Sequence, residues 1–222
     1  MIKSIEKATA HMSRDFIELE NLQSNPTSAA KFANACYQRV KQVLIDDLAK
    51  FRPDHNLIFS DGQKVIRKEN AEYSYSICAV DGFDNMLRSN PDFTVAMALE
   101  HQNASGKKEP IAMVILKVVG GELYYCEKGF GAFLNNRRIR VSKRNVGNFV
   151  VACEDQSLLE DAKSSLRMYG CRTLEVAYVA SSRLEKAIFK NQNSEFLRPF
   201  LLLIREAGGK ISENEKSILV SN

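Results

Sequence analysis

Two carboxylates three residues apart, Asp81 and Asp84, flank a glycine in the run Tyr75-Ser-Ile-Cys-Ala-Val-Asp-Gly-Phe-Asp-Asn-Met86. An apolar run ending in Asp81-Gly82 reads as a strand delivering a carboxylate to a tight turn, where glycine lets backbone amides face an anion. That chemistry suits a phosphate, with Asp81, Gly82 and Asp84 as the residues to touch it. A second reading of Asp81 is structural: Asp-Gly is a good turn, and the carboxylate can cap a helix beginning near Asp84. Cys78 reads as a buried strand residue rather than a nucleophile, because no histidine is near it and the chain has only three. His55 reads as a loop residue before a strand and His101 as part of a polar hairpin. Arg137, Arg138, Arg140, Lys143 and Arg144 form the densest basic cluster. It is either a solvated strand face or a contact for RNA or an acidic protein, and no stacking aromatics alternate with its charges.

The elements that must position these residues follow from periodicity. Ile5, Ala8, Met12, Phe16 and Leu19 recur at helical spacing, and Asn25-Pro26 stops that helix. A second helix from about Ala29 carries Cys36, Val40, Val43, Leu44 and Leu48 on one face and ends before Arg52-Pro53. Two helices thus precede the first strand, at Asp54 to Phe59. Three β-rich runs follow, Tyr73 to Val80, Phe93 to Leu99 and Ile111 to Val119, and Gly120-Gly121 turns the chain into Glu122 to Glu127. The last third alternates: Phe149 to Ala152, a helix around Leu158 to Met168, then Val176 to Ile188 and Phe196 to Ala207, which suggests an α/β layer.

At 222 residues, 45% hydrophobic and 26% charged, the chain can bury a sizeable core and is neither disordered nor membrane-spanning in composition. We read one domain over 1–222, with helices and a first sheet to about 145 and an α/β part from about 146. The opening Met-Ile-Lys-Ser-Ile-Glu-Lys has an early acid and no apolar signal-peptide core, so a cytoplasmic location is expected. Five scattered cysteines without paired spacing exclude the zinc and redox patterns, and a net charge of +4 is too small to argue nucleic-acid binding.

Three segments carry a resemblance. Cys78-Ala79-Val80-Asp81-Gly82-Phe83-Asp84-Asn85-Met86 lies on the motif Asp-Pro-Ile-Asp-Gly-Thr-x-Asn-Phe. Gly129-Phe-Gly-Ala-Phe-Leu-Asn-Asn-Arg-Arg-Ile-Arg-Val-Ser142 matches Gly-x-Gly-Ala-Phe-Leu-Asn-x-x-x-Ile-x-Val-Ser almost letter for letter. Arg205-Glu-Ala-Gly-Gly-Lys-Ile211 looks like a helix end and the strand after it. Together they resemble the inositol monophosphatase family, and bacterial extragenic suppressor members most, from about Ala29 to Val220. The resemblance implies a layered αβαβα sandwich of the inositol monophosphatase and fructose-bisphosphatase superfamily, with a further helix beyond the segment matching Ile218-Leu219-Val220.

It also implies metal-assisted hydrolysis of a phosphate monoester, for which hard Mg²⁺ needs clustered carboxylates. The family's metal-binding Glu falls on Ser60 and the first Asp of its motif on Cys78. The Thr that positions water falls on Phe83, and the Asp of an upstream Thr-x-x-Asp on Tyr37. The Trp-Asp pair falls on Glu195-Phe196, so Phe196 stands at the Asp, with Glu195 a weak substitute one position away. The substrate-contacting Glu falls on Phe189, and the small residue after Gly-Ser on Arg172, which joins Asp81, Gly82 and Asp84 as a phosphate-site candidate. Asp81 alone is retained securely as a metal ligand. The expectation is a catalytically impaired pseudo-phosphatase with a binding or regulatory role and no cofactor. Two alternatives stand beside it. One is an active Mg²⁺-dependent phosphatase for inositol monophosphate or a related small ester, using Asp61, Asp81, Asp84 and Glu195. The other is an RNA- or transcription-associated accessory protein using the Arg137 to Arg144 cluster. The family further implies a homodimer.

Overall fold

The computed structural model describes residues 1–144, 146–147, 149–158, 164–192 and 194–222. Three helices precede the first strand: α1 (Ile2–Thr9), α2 (Met12–Asn21) and α3 (Pro26–Phe51). The single amphipathic helix expected through Ile5 and Leu19 is therefore two. The Thr9 hydroxyl bonds back to the carbonyls of Ile5 and Glu6, and Ala10 N–H closes a tighter turn onto Lys7, so the ladder breaks there. Asn25-Pro26 is a start as well as a stop. Asn25 Oδ1 accepts the Ser28 N–H at 3.1 Å, and Pro26 takes the first helical position, where its missing N–H is not needed.

The next elements are β1 (Asn56–Phe59), β2 (Lys64–Val65), β3 (Tyr73–Asp81), a short helix α4 (Phe83–Leu87), β4 (Thr94–Gln102), β5 (Lys108–Lys117), β6 (Glu122–Glu127), β7 (Gly131–Leu134) and β8 (Arg137–Ile139). The strands form one sheet in the order β2-β1-β3-β4-β5-β6-β7-β8, antiparallel except where β1 meets β3. His101 lies near the end of β4 in the β4–β5 hairpin, as expected, paired with Glu109 on one side and Tyr73 on the other, with Nε2 3.2 Å from Glu72. The central strands read as apolar runs because both their faces are covered. Ile77, Ala79, Val95 and Met97 pack in the core with α1–α3, whereas Cys78, Ala96, Ala98 and Ile115 pack on the opposite side.

The remaining elements are β9 (Val150–Cys153), a 3₁₀ turn at Gln156–Leu158, β10 (Ser165–Arg167), α5 (Arg172–Ala180), β11 (Lys186–Lys190), a 3₁₀ turn at Arg198–Leu201 leading into α6 (Leu202–Glu206), β12 (Lys210–Glu213) and β13 (Ser217–Ser221). They build a second sheet in the order β10-β9-β11-β13-β12. Helices α5 and α6 lie between the sheets: α5 touches β4 and β5 on one side and β11 and β13 on the other, and α6 bridges β5–β7 and β12. Among the described residues the layers therefore run helix, sheet, helix, sheet. Of the helix expected around Leu158 to Met168, residues 159–163 lie outside the described residues, and Ser165–Arg167 is a strand parallel to β9. The Val176 to Ile188 run is the end of α5, a turn with Ser182 at φ 64°, and most of β11.

Candidate functional site

The site is set by an irregularity in β3. Cys78 pairs with Ala96 and Asp81 with Thr94, so β3 carries one residue more than β4 between these pairs. Regular alternation would put residues three apart on opposite faces; the bulge returns Asp81 to the side of Cys78. Ser60 follows β1, hydrogen-bonds through its N–H to Ile77 O at 2.9 Å, and brings its hydroxyl 3.3 Å from Cys78 Sγ. Glycine is required at the next position: Gly82 sits at φ 76°, and a Cβ there would lie 2.9 Å from Asp92 O and 3.1 Å from Cys171 Cβ. Ser60, Cys78, Asp81, Phe83, Arg172 and Phe196 line one cavity of about 370 Å³, with Thr173 and Leu197 in its wall.

Asp81 is tied to the second half of the chain. Its Oδ2 accepts the Thr173 N–H and the Thr173 hydroxyl, each at 2.7 Å, and lies 3.4 Å from Cys171 Sγ. It therefore caps the N-terminus of α5, where a carboxylate is favoured by the helix dipole, and not the α4 helix near Asp84. Thr94 and Thr173 hydroxyls are 2.6 Å apart and both buried. Since Thr173 gives its proton to Asp81, Thr94 is the donor in that pair. Asn85 adds a second tie, donating to the carbonyls of Asp92 and Tyr169, both at 2.7 Å. Thr94, Cys171 and Thr173 carry no signal in the sequence, since Thr94 meets Asp81 only through β3–β4 pairing and the other two only where the start of α5 packs on it.

The thiol of Cys78 is pushed well above its ordinary range, first by burial and then by the Asp81 charge. Burial does the same to Cys171. Neither is a thiolate at neutral pH. Glu175, in the first turn of α5, is 2% exposed, and burial raises its pKa to about 8. Its Oε1 accepts the Tyr169 N–H at 3.3 Å, while its Oε2 is buried without a partner.

The other candidates are scattered around this cavity. Arg172 lines it, but its guanidinium is paired with Glu154, Nε to Oε1 at 3.0 Å. Asp84 is exposed on α4 and does not line the cavity. Glu195 lines a separate recess with Arg198 and Arg205, because adjacent residues project in different directions and Phe196 takes the inward position. Phe189 is fully buried in β11. Asp61, one residue beyond Ser60, turns away to α3, where Lys41 Nζ and Tyr37 Oη bond its Oδ2, the latter at 2.9 Å. Burial pushes the Asp61 carboxyl upward, yet bonds from Lys41, the Gln63 N–H and Tyr37 outweigh it and hold the group below the usual carboxylate range. The Lys41 ammonium is itself buried and lies 4.8 Å from the Phe59 ring centroid and 5.7 Å from that of Tyr37. Tyr37 meets Phe83, which lines the cavity, edge-on at 6.0 Å. Among the described residues, no three His, Cys, Asp or Glu side chains gather into a group able to hold a metal ion.

The profile of the inositol monophosphatase family matches residues 2–217. The chain belongs to that family. An inositol-1-monophosphatase of Mesorhizobium japonicum is 29% identical over 231 residues, covering 96% of this chain and 84% of its own. A Nus factor SuhB of Xylella fastidiosa is 26% identical, covering 96% and 80%. The crystal structure of the extragenic suppressor protein suhB from Bartonella henselae superposes with a TM-score of 0.83 at 26% identity, over 100% of this chain and 91% of that one. The inositol monophosphatase of Anabaena, at 20% identity and a TM-score of 0.76, shares the fold. The mixed α/β architecture, with two sheets and their helices, is thus that of the inositol monophosphatase superfamily. No helix among the described residues is long and apolar enough to cross a membrane.

Proposed function

We propose that this member of the inositol monophosphatase family is an impaired phosphatase that keeps the fold for binding or regulation. The observation that carries the reading is the engagement of Asp81: the carboxylate retained in the cavity already receives two short hydrogen bonds from Thr173 on one oxygen. Around it the donors are a hydroxyl and a high-pKa thiol directed at each other, a phenyl ring at Phe83, and an arginine that carries positive charge. This donor set does not fit paired Mg²⁺, which needs several hard oxygen ligands and enough negative charge to offset two adjacent dications. Glu195 and Asp61, which an active enzyme would have to recruit, are directed elsewhere. The test is hydrolysis of inositol 1-phosphate with millimolar Mg²⁺ or Mn²⁺. Turnover no greater than that of Asp81→Asn is expected, and turnover well above it overturns the reading.

A transcription-related partner is the second reading, favoured by relatives named Nus factor SuhB and by the exposed Arg137, Arg138, Arg140 and Lys143. Arg144 contributes less, since its guanidinium is spent on Glu185, Ser142 and Ser182. Salt-sensitive RNA binding that disappears when these five residues become Ser supports it, and binding that survives refutes it. The family also carries the expectation of a homodimer, which sedimentation tests.

A further inference from the structure

A larger recess lies on the other side of the first sheet, away from Asp81. Helices α1–α3 cover its β1–β4 half, while Ala112 and Val114 of β5, Tyr125 of β6 and Phe133 of β7 form the floor of a cavity of about 1000 Å³. Its walls are α1 and the last turn of α3, and two phenyl rings stand at its mouth, Phe51 at 65% and Phe130 at 67% exposure. Rings held this far out of the core on either side of an apolar floor are a cost unless something covers them. At the α3 end the lining turns polar: the buried Tyr75 hydroxyl is reached by the Arg52 side chain, with Lys3 also lining the recess. The Lys7 charge is cancelled by Asp47 at 2.6 Å, whereas among the described residues no carboxylate pairs with Arg52 or Lys3. The volume falls at the top of the range for small-molecule sites, about 300–1,000 Å³, and the pattern of apolar walls with a few convergent polar groups is theirs.

We propose that this recess binds a small amphiphile with an anionic head, a free medium-chain carboxylate, with its tail on the Val114, Tyr125 and Phe133 floor and its head at Arg52 and Lys3. This goes beyond the reading of the Asp81 cavity and does not depend on it. The charge at the polar end selects an anion over a neutral amphiphile, and the enclosed apolar floor selects a single chain over a bilayer.

The chain has no tryptophan, so Phe130→Trp places one reporter at the mouth. Titrating that variant with monomeric dodecanoate, and the unaltered chain by calorimetry, should give one saturable site. Decanoate should bind about 10-fold more weakly for its two missing methylenes. Arg52→Gln should weaken dodecanoate about 10-fold while leaving dodecanol unchanged. Ala112→Phe, which fills the floor, should abolish both, with circular dichroism and melting showing that each variant is folded. No saturable binding of dodecanoate overturns the proposal, as does equal affinity for dodecanol and dodecanoate, or indifference to Arg52→Gln and Ala112→Phe together. So does a dimer in sedimentation that Phe130→Ser dissociates, because a second copy would then be the cover. Capture by anionic phospholipid vesicles without binding of free dodecanoate would likewise assign the face to a membrane and overturn it.

Discussion

The turn at Gly129 and the cleft at Asp81 are built alike and have been used differently. In each, a carboxylate reaches across the fold to two donors, both backbone N–H groups at Glu206 and one N–H and one hydroxyl at Asp81. Glu206, at the end of α6, accepts from Gly129 and Gly131, 2.8 Å to each oxygen, and so locks the β6–β7 turn to the helix layer. Asp81 accepts both bonds on a single oxygen and locks β3 to α5. The Gly129 segment matches the family motif almost letter for letter, and its bonds to Glu206 fix the turn. In the cleft Asp81 stands beside a thiol, a hydroxyl and two phenyl rings, and its carboxylate is held by an interaction within the chain. Asp81 thus lines the cavity and fastens the scaffold with the same carboxylate.

Breaking the two locks separately tests that comparison. Asp81→Ala should have the largest effect, about 3 kcal/mol in urea unfolding, since it removes a charged cap and leaves the Thr173 N–H and hydroxyl in a buried site without an acceptor. Asp81→Asn should cost less, because its amide oxygen still accepts. Glu206→Ala should follow at about 2 kcal/mol, as its bonds are partly exposed, and should leave ligand binding in the cleft unchanged. Lys41→Met should cost about 1 kcal/mol at neutral pH by removing the ion pair with the partly exposed Asp61 and the contact with Phe59. The Asp61 carboxyl is held below its ordinary range, so the stability it contributes is present above that range and lost as pH falls. The acid limb of the pH–stability curve should therefore be shallower in Lys41→Met.

Glu175 gives the smallest effect at low pH and a distinctive one as pH rises. Its folded pKa is raised from 4.5 to about 8, so the folded state keeps a proton that the unfolded chain releases, and stability falls across that interval. Melting temperature followed across it should decline in the unaltered chain and decline less in Glu175→Gln. An identical slope in both would show that the Glu175 carboxyl is ionised in the fold.

Much of the local structure was legible from the residues. The β3, β4, β5 and β6 runs and the Gly120-Gly121 turn fall where periodicity and turn residues put them, and the α6–β12 boundary falls where the family resemblance put it. The break between α1 and α2 was not, because Ile5 to Leu19 keeps its apolar spacing across Thr9 and only the back-bonding hydroxyl reveals the interruption. Ser165–Arg167 is a short edge strand whose identity comes from its partner β9 rather than from its own propensity.

At the site, the sequence by itself determined which functional groups are available: a thiol, a hydroxyl and two phenyl rings beside one aspartate. That follows from residue type alone, since no fold can make Cys78 or Phe83 into a carboxylate. Only the tertiary structure decided how the remaining acids are spent. The bulge in β3 turns Asp81 toward α5, Asp61 is drawn off to Lys41, and Glu195 faces another recess. These outcomes depend on register and on partners 20 to 92 residues away along the chain, which no local pattern records.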